Sequence, residues 1–197
     1  MTPLGFDLIL LGAPAAGKDT QALILQKNLK LKPVESGKYW RKMASQNNAQ
    51  GKLLRSTFSK GKLAPVRLMK GFITDNLKNI PHDSNLVFIG NPRLKPEAQL
   101  LVKLLRQKRR DFFAIFLSLP DREIKKRSKK RHRDIQDTEY IQTRIRLNRE
   151  LVSKTVEYFK GLNKIKVING NQSITAVAKD VRKAINDYQK SRRDNNS

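Results

Sequence analysis

The chain has 197 residues, about the length of one α/β domain, and a formal net charge of +25 at pH 7, from 42 Lys and Arg against 17 Asp and Glu. It has no cysteine, which excludes a disulfide framework and any cysteine-based metal site or nucleophile. The charge predicts an anionic partner, whether nucleotide, nucleic acid or acidic surface. We expect a cytoplasmic protein without membrane association, because the lack of cysteine fits a reducing compartment and the apolar run at residues 112–119 is far below the roughly 20 residues of a membrane span.

Short apolar runs bounded by turn residues predict buried strands along the chain. The runs lie at residues 6–11, 86–89, 112–117 and 165–168, and helical stretches separate them. The first run leads through a turn into a helix predicted over residues 18–29. Such alternation is typical of a parallel sheet with helices on both faces, so we predict an α/β fold.

Two segments depart from this alternation. Residues 37–62 are polar, are punctuated by Gly51 and Gly61 and contain few strand formers, which predicts a helical flap beside the core. A dense basic run at residues 122–135 precedes a long helix, which the apolar spacing predicts over residues 138–159.

The end of the chain is predicted to hold one more helix. Ser173 is a candidate N-cap, and the helix is expected to continue through Tyr188. Residues 190–197 are polar and are expected to form a frayed tail. We therefore expect a single domain over residues 1–189 and a disordered tail at 190–197.

The turn after the first strand carries a phosphate-binding motif. Residues 12–20, called the phosphate loop below, read Gly-Ala-Pro-Ala-Ala-Gly-Lys-Asp-Thr. Small residues let backbone N–H groups surround an oligophosphate, Lys18 reaches its β- and γ-phosphates, and the Thr20 hydroxyl is placed to ligate Mg²⁺. The motif predicts an ATP-phosphate site formed by Gly12, Ala15, Ala16, Gly17, Lys18, Asp19 and Thr20.

Other motifs follow the phosphate loop in a fixed order. Glu-Ser-Gly stands at residues 35–37, before Arg41; Gly-Lys-Leu-Ala-Pro stands at 61–65 and Gly-Asn-Pro-Arg at 90–93. They are followed by Arg127, Arg131, Arg133 and Arg144. In this order the motifs resemble those of the adenylate kinase family of nucleoside monophosphate kinases over nearly the whole chain. The resemblance implies a P-loop NTPase fold with a five-stranded parallel sheet, a helical monophosphate-binding flap at 36–65 and a short lid at 128–137.

The resemblance also implies a role for each part of the site. The reaction would be reversible transfer of the γ-phosphoryl of ATP to a nucleoside monophosphate, with AMP favoured, by a monomer. The fork-shaped guanidinium suits such a reaction, because the transition state spreads charge over phosphoryl oxygens. Besides the phosphate loop, ATP would contact Arg127, Arg131 and Gln172. The monophosphate would contact Ser36, Arg41, Lys62, Leu63, Ala64, Gly90, Arg93, Glu97, Arg133 and Arg144, and the catalytic set would be Lys18, Arg93, Arg127, Arg133 and Arg144.

Several acidic positions of the family are substituted here. Ile89 and Lys38 stand where the family has aspartates that hold waters of the magnesium shell. Magnesium keeps most of its waters and relies on such acids. We therefore expect Mg²⁺ to be held weakly, with Thr20 as its evident protein ligand. A catalytically weak or inactive nucleotide-binding member of the family is the alternative.

Two further alternatives stay open at this point. When ionised, Glu97 offers only acceptors and suits the guanine edge better than adenine, whereas Ser36 and the backbone of Ala64 suit adenine. Glu97 also follows Pro96 at the start of a helix, where the helix dipole favours an acid. The second alternative concerns the basic surface, whose charge would also support non-specific binding to nucleic acid.

Overall fold

The computed structural model describes residues 4–78, 80, 84–130 and 137–194. Its sheet consists of β1 (Asp7–Gly12), β2 (Leu31–Glu35), β3 (Asn85–Ile89), β4 (Phe112–Ser118) and β5 (Ile165–Asn169). The strand order is β2-β3-β1-β4-β5, and all neighbouring strands are parallel. The predicted five-stranded parallel sheet is confirmed.

One strand, β2, is not marked by an apolar run. It reads Leu-Lys-Pro-Val-Glu and alternates between buried and exposed residues, with only Leu31 and Val34 buried. Pro33 lacks an N–H and is tolerated because β2 lies at the edge of the sheet. A half-exposed edge strand with a proline has no strong sequence signal.

Helices connect and cover the strands. They are α1 (Lys18–Asn28), α2 (Ser36–Ala44), α3 (Ala49–Ser59), α4 (Val66–Lys78), α5 (Lys95–Gln107), α6 (Asp121–Lys129), α7 (Thr138–Leu147), α8 (Ser153–Gly161) and α9 (Ile174–Asp194). The long helix predicted over residues 138–159 is present, with one π-helical turn at Asn148–Val152 between α7 and α8. No helix in the described part of the chain combines the length and apolar character needed to cross a membrane.

The hydrophobic core lies on both faces of the sheet. Successive side chains of a strand point to opposite faces, so Leu8 and Leu10 of β1 pack in a cluster with α1, α7 and α9. Ile9 and Leu11 pack in the other cluster, with α4 and α5. Because β1 is buried on both faces, its carboxyl end and the phosphate loop rest on a rigid support.

The last helix is longer than predicted. Ser173 caps it as expected, because its Oγ accepts a hydrogen bond from the backbone N of Ala176 at 3.2 Å. The prediction of a frayed tail from residue 190 is wrong for residues 190–194, which continue α9. Arg192 holds this turn, since its Nε lies 2.8 Å from Asp111 Oδ2 and its guanidinium lies over the Phe6 ring. Residues 195–197 lie outside the described residues.

Candidate nucleotide site

The phosphate loop links β1 to α1 through residues with positive φ. Ala15 has φ 57° and Gly17 has φ 89°. Gly12 is required by a close approach, because a Cβ there would lie 2.6 Å from the carbonyl oxygen of Leu117 in β4. The Nζ of Lys18 donates to the carbonyls of Gly12 and Ala13 at 3.0 and 2.8 Å. The lysine ammonium is therefore held against the loop itself.

A cleft of about 780 Å³ adjoins the phosphate loop. This volume is in the range of small-molecule sites, roughly 300–1,000 Å³. Its walls come from the phosphate loop, α1, the flap segment, the turn after β3, α5 and α7. The predicted site residues that line it are Ala15, Ala16, Gly17, Lys18, Asp19, Ser36, Arg41, Lys62, Leu63, Ala64, Gly90, Arg93, Glu97 and Arg144.

Other predicted site residues lie elsewhere. Gly12 lines a smaller recess that shares Lys18, Arg93 and Arg144 with the cleft. Thr20 is exposed on the first turn of α1 and is not part of the cleft wall. Arg131 and Arg133, with most of the predicted lid, lie outside the described residues.

Cations dominate the lining of the cleft. Among the described residues, its walls contain seven Lys or Arg and three acids. The cations are Lys18, Lys38, Arg41, Arg55, Lys62, Arg93 and Arg144, and the acids are Asp19, Glu35 and Glu97. An anionic ligand would relieve this imbalance, because it pairs with several cations that otherwise face each other.

The surroundings of Arg93 oppose its positive charge. Burial lowers its pKa, and the nearby Arg144 guanidinium lowers it further, to about 10. At neutral pH Arg93 is still a cation. Its Nε donates to the Gly90 carbonyl at 2.8 Å, and its own carbonyl accepts from Thr155 Oγ1 at 2.8 Å. These bonds fix the guanidinium at the cleft before any ligand binds.

The far wall of the cleft is formed by α7 and the end of the flap segment. The Arg144 guanidinium lies over the Tyr140 ring, 5.6 Å from its centroid. Gly61 has φ 68°, and a Cβ there would lie 2.9 Å from the Tyr140 carbonyl oxygen. Gly61 thus lets the flap segment approach α7 closely enough to close one side of the cleft.

Glu97 is engaged with the backbone. Its Oε2 accepts hydrogen bonds from the N–H groups of Arg93 and Leu94, at 2.8 and 3.2 Å. These bonds cap the start of α5. The contacts of Glu97 therefore agree with its interpretation as a residue that stabilises the start of a helix. Burial raises its pKa above the ordinary value.

Arg127 of α6 contacts the loop between β5 and α9, which contains Gln172. Arg127 donates to the Gly170 carbonyl and to Asn171 Oδ1, both at 3.2 Å. Gln172 Nε2 donates to the Asn169 carbonyl at 2.8 Å and to Asp180 Oδ2 at 2.9 Å. A Cβ at Gly170 would lie 3.3 Å from the Ala16 carbonyl oxygen, so this loop contacts the phosphate loop.

Two residues that sequence reasoning did not single out help to shape the site. Asn91 is fully buried, and its Nδ2 donates to the carbonyls of Val34 and Ile89, which ties β2 to β3 where both strands end. Glu35, the last residue of β2, lines the cleft. A polar residue two positions after a buried strand was the available signal for Asn91.

The donor set fits a magnesium ion that keeps several waters. The described residues contain no group of three or more His, Asp or Glu that could form a protein cage. They do offer the hydroxyl of Thr20 and the carboxylates of Asp19 and Glu35 near the phosphate loop. Mg²⁺ in nucleotide sites typically takes one or two protein oxygens, phosphate oxygens and water.

Comparisons with known proteins agree with this geometry. The model of the family described as "Adenylate kinase" matches residues 10–164. The adenylate kinase of Azobacteroides pseudotrichonymphae is 27% identical over 177 residues, which cover 87% of this chain and 93% of that protein. The adenylate kinase of Bacteroides fragilis is 26% identical over 184 residues, with 91% and 97% covered. Adenylate kinase 1 of Synechocystis sp. is 28% identical over 179 residues, with 90% and 96% covered.

Proposed function

Because the chain belongs to the adenylate kinase family, we propose that it transfers the γ-phosphoryl group of ATP reversibly to a nucleoside monophosphate, with AMP as the preferred acceptor and ADP as the product. One observation carries the proposal. The phosphate loop and the arginines Arg41, Arg93 and Arg144 line the same cleft, so a phosphate donor and a phosphate acceptor can meet there.

The chemistry asks the protein for positioning and for positive charge. The phosphate loop and Lys18 bind the triphosphate, and Arg41 and Arg93 bind the acceptor phosphate. Arg144 then faces the phosphoryl group in transit, together with Arg127, Arg131 and Arg133. Bound Mg²⁺ would neutralise charge on the β- and γ-phosphates, and Thr20 would be its protein ligand.

The choice of AMP is supported by two residues of the cleft that suit adenine. Ser36 is buried at the start of α2, and Ala64 also lines the cleft. Since Glu97 Oε2 already accepts two backbone hydrogen bonds, we do not assign the base preference to that oxygen.

A coupled assay of ADP formation tests the proposal. Purified protein is incubated with ATP and each of AMP, GMP, CMP and UMP across a magnesium titration. We expect turnover that requires both substrates and is fastest with AMP. If ATP binds but no monophosphate yields ADP at any magnesium concentration, the protein is instead a nucleotide-binding member of the family without kinase activity.

A second activity is favoured by the surface of α6. Arg122, Lys125, Lys129 and Lys130 are exposed there and form no ion pair with any described residue. We propose that this basic face binds nucleic acid without sequence preference. On duplex DNA, each phosphate that the face no longer neutralises should reduce the slope of log affinity against log salt by about 0.9.

The measurement is a salt titration with a labelled duplex, for the wild type and for K125Q/K129Q. We expect the double variant to lower the slope by about 2, because it removes two cations from the face. Equal slopes would exclude α6 as the binding face. A monomeric state and a cytoplasmic location remain predictions as well.

A further inference from the structure

Glu35 occupies a defined place in the row of strand ends beside the phosphate loop. In the sheet, Leu10 of β1 is in register with Ile89 of β3, and Ile89 is in register with Glu35 of β2. The three residues therefore form one row across neighbouring strands, each about 4.8 Å from the next. Glu35 is one strand farther from β1 than Ile89.

The side chain of Glu35 lies on the α1 face of the sheet. Ile89 belongs to the buried cluster that contains Ala22 and Leu25 of α1. Val34, which precedes Glu35, belongs to the cluster on the opposite face. Because side chains alternate along a strand, Glu35 shares the face of Ile89. In agreement, Glu35 and Asp19 of α1 line the same cleft.

The carboxylate of Glu35 has no cation partner among the residues that the structure describes. It is half-buried, yet it forms no hydrogen bond or ion pair with any of them. The other acids on the sheet behave differently: Asp7 pairs with Arg110, and Asp111 pairs with Lys164. Such a carboxylate, in a chain of net charge +25, is available for a ligand.

The Mg²⁺ at a phosphate loop usually needs an acid at the end of a neighbouring strand. In P-loop proteins the Mg²⁺ is held by the loop Ser or Thr and by an acid from a nearby strand. In this chain β3, which lies next to β1, ends in Ile89. Ile89 is 7% exposed and belongs to an apolar cluster. Isoleucine offers no oxygen to a metal or to its waters. The side chain of glutamate is one methylene longer than that of aspartate. This length partly offsets the greater distance of Glu35 from β1.

We propose that Glu35 accepts hydrogen bonds from water molecules of the Mg²⁺ that binds with ATP, in place of an acid at residue 89. The inference rests on the proposed binding of ATP at the phosphate loop. Acids that contact a metal through its bound waters hold those waters in position, and their loss typically weakens metal affinity about 10- to 100-fold. Glu35 would be a positioning residue, because it acts on the metal through water.

The test measures metal binding without turnover. Mn²⁺ replaces Mg²⁺, since both prefer octahedral oxygen ligands, and the nucleotide is a non-hydrolysable ATP analogue. Loss of the electron paramagnetic resonance signal of free Mn²⁺ reports binding, and a sample with nucleotide alone sets the baseline. We expect E35Q to weaken Mn²⁺ affinity of the protein–nucleotide complex about tenfold or more. Affinity for the metal-free nucleotide should stay the same or rise, because a negative charge leaves the cleft.

Two further variants sharpen the test. E157Q is the matched control, because Glu157 is exposed on α8, pairs with Lys160 and lies outside the cleft. Its metal affinity should equal that of the wild type. I89D in the E35Q background returns a carboxylate to the neighbouring register position and should recover metal affinity, provided that circular dichroism shows the variant to be folded.

The outcomes separate this inference from the proposed function. Wild-type metal affinity in E35Q, or an equal loss in E157Q, overturns the role of Glu35 even if the protein makes ADP. Failure of the wild type to bind the ATP analogue overturns the proposed function itself. Loss of metal affinity in E35Q supports the role of Glu35 whether or not turnover is fast.

Discussion

The two ends of the parallel sheet carry opposite electrostatic arrangements. At the amino end, Asp7 is fully buried and accepts two hydrogen bonds from Arg110, at 2.6 and 2.8 Å. Asp111, just before β4, accepts from Lys164 and Tyr188 and pairs with Arg192. At the carboxyl end, Arg93 and Arg144 both line the cleft, where burial and the Arg144 cation lower the pKa of Arg93.

The comparison separates stability from function in this chain. Charges at the amino end neutralise one another within the fold, which stabilises the sheet. Charges at the carboxyl end are mostly cations that line the cleft, and the proposed phosphate ligands would neutralise them. With only 17 acids against 42 cations, the placement of each buried acid decides which end can bind a ligand.

The largest expected effect is on stability, at the amino end. Asp7→Asn removes the carboxylate that pairs with Arg110, whose side chain is only 9% exposed. Breaking a buried pair in this way typically destabilises a protein by about 3–5 kcal/mol. We expect a loss of that size in urea unfolding, with turnover per folded molecule unchanged.

The control for this variant is Asp75→Asn. Asp75 pairs with Lys78, but their side chains are 65% and 63% exposed. Its removal should change the free energy of unfolding by less than about 1 kcal/mol. Equal losses in the two variants would show that the buried pair contributes nothing special to the sheet.

The next effect is on activity, at the carboxyl end. Arg93→Met removes a fixed cation from the cleft, so the phosphoryl-transfer rate should fall about 10²- to 10³-fold. Stability should change by less than about 1 kcal/mol, because removal of the hydrogen bond to Gly90 is offset by relief of repulsion from Arg144. Steady-state kinetics and urea unfolding of the same sample measure both.

Arg106→Met is the matched control for Arg93. Arg106 is exposed near the end of α5 and lies outside the cleft. We expect wild-type rates from it. A comparable rate loss in this variant would mean that the kinase assay responds to net charge rather than to the cleft.

The smallest effect concerns pH, and the two ends should respond with opposite sign. Burial raises the pKa of Asp111, but hydrogen bonds from Lys164 and Tyr188 outweigh it and lower the pKa below 3.8. Its stabilising contribution is therefore present above pH 3.8 and is lost on further acidification. Burial raises the pKa of Glu97 above 4.5, so its contribution is full below pH 4.5 and is lost as pH rises through the raised pKa.

Urea unfolding of the wild type, D111N and E97Q at pH 3, 5 and 7 tests this difference. Between pH 5 and 3, D111N should lose less stability than the wild type. Between pH 7 and 5, E97Q should lack the gain contributed by Glu97. A common sign for both acids would remove the electrostatic contrast between the ends of the sheet.

Much of the fold is predictable because its signals are local. The runs that become β1, β3 and β4 are apolar along most of their length, which follows from burial in a parallel sheet. The run that becomes the edge strand β5 is also largely apolar, although only Ile168 is buried there. The phosphate loop is equally local, since its small residues and Lys18 act within one strand–turn–helix unit. The start of α9 at Ser173 is visible for the same reason.

The edges of the fold are harder to predict. β2 has no clear signal because its exposed positions and Pro33 weaken the apolar pattern. The end of α9 lies later than its sequence indicates because its last turn is held by Asp111 and Phe6, which lie far away in the sequence. Glu97 is a local case that sequence patterns alone could not decide, because a helix cap and a base contact both favour an acid there.

By itself, the sequence determined that the chain folds as an α/β sheet with a phosphate loop at the end of its first strand. Only the tertiary structure decided which side chains accompany that loop. The register of β2 against β3 brings Glu35 beside Ile89, and the close approach at Gly61 sets the flap segment against α7. Such relations depend on contacts between segments distant in the chain, and neither local periodicity nor residue spacing records them.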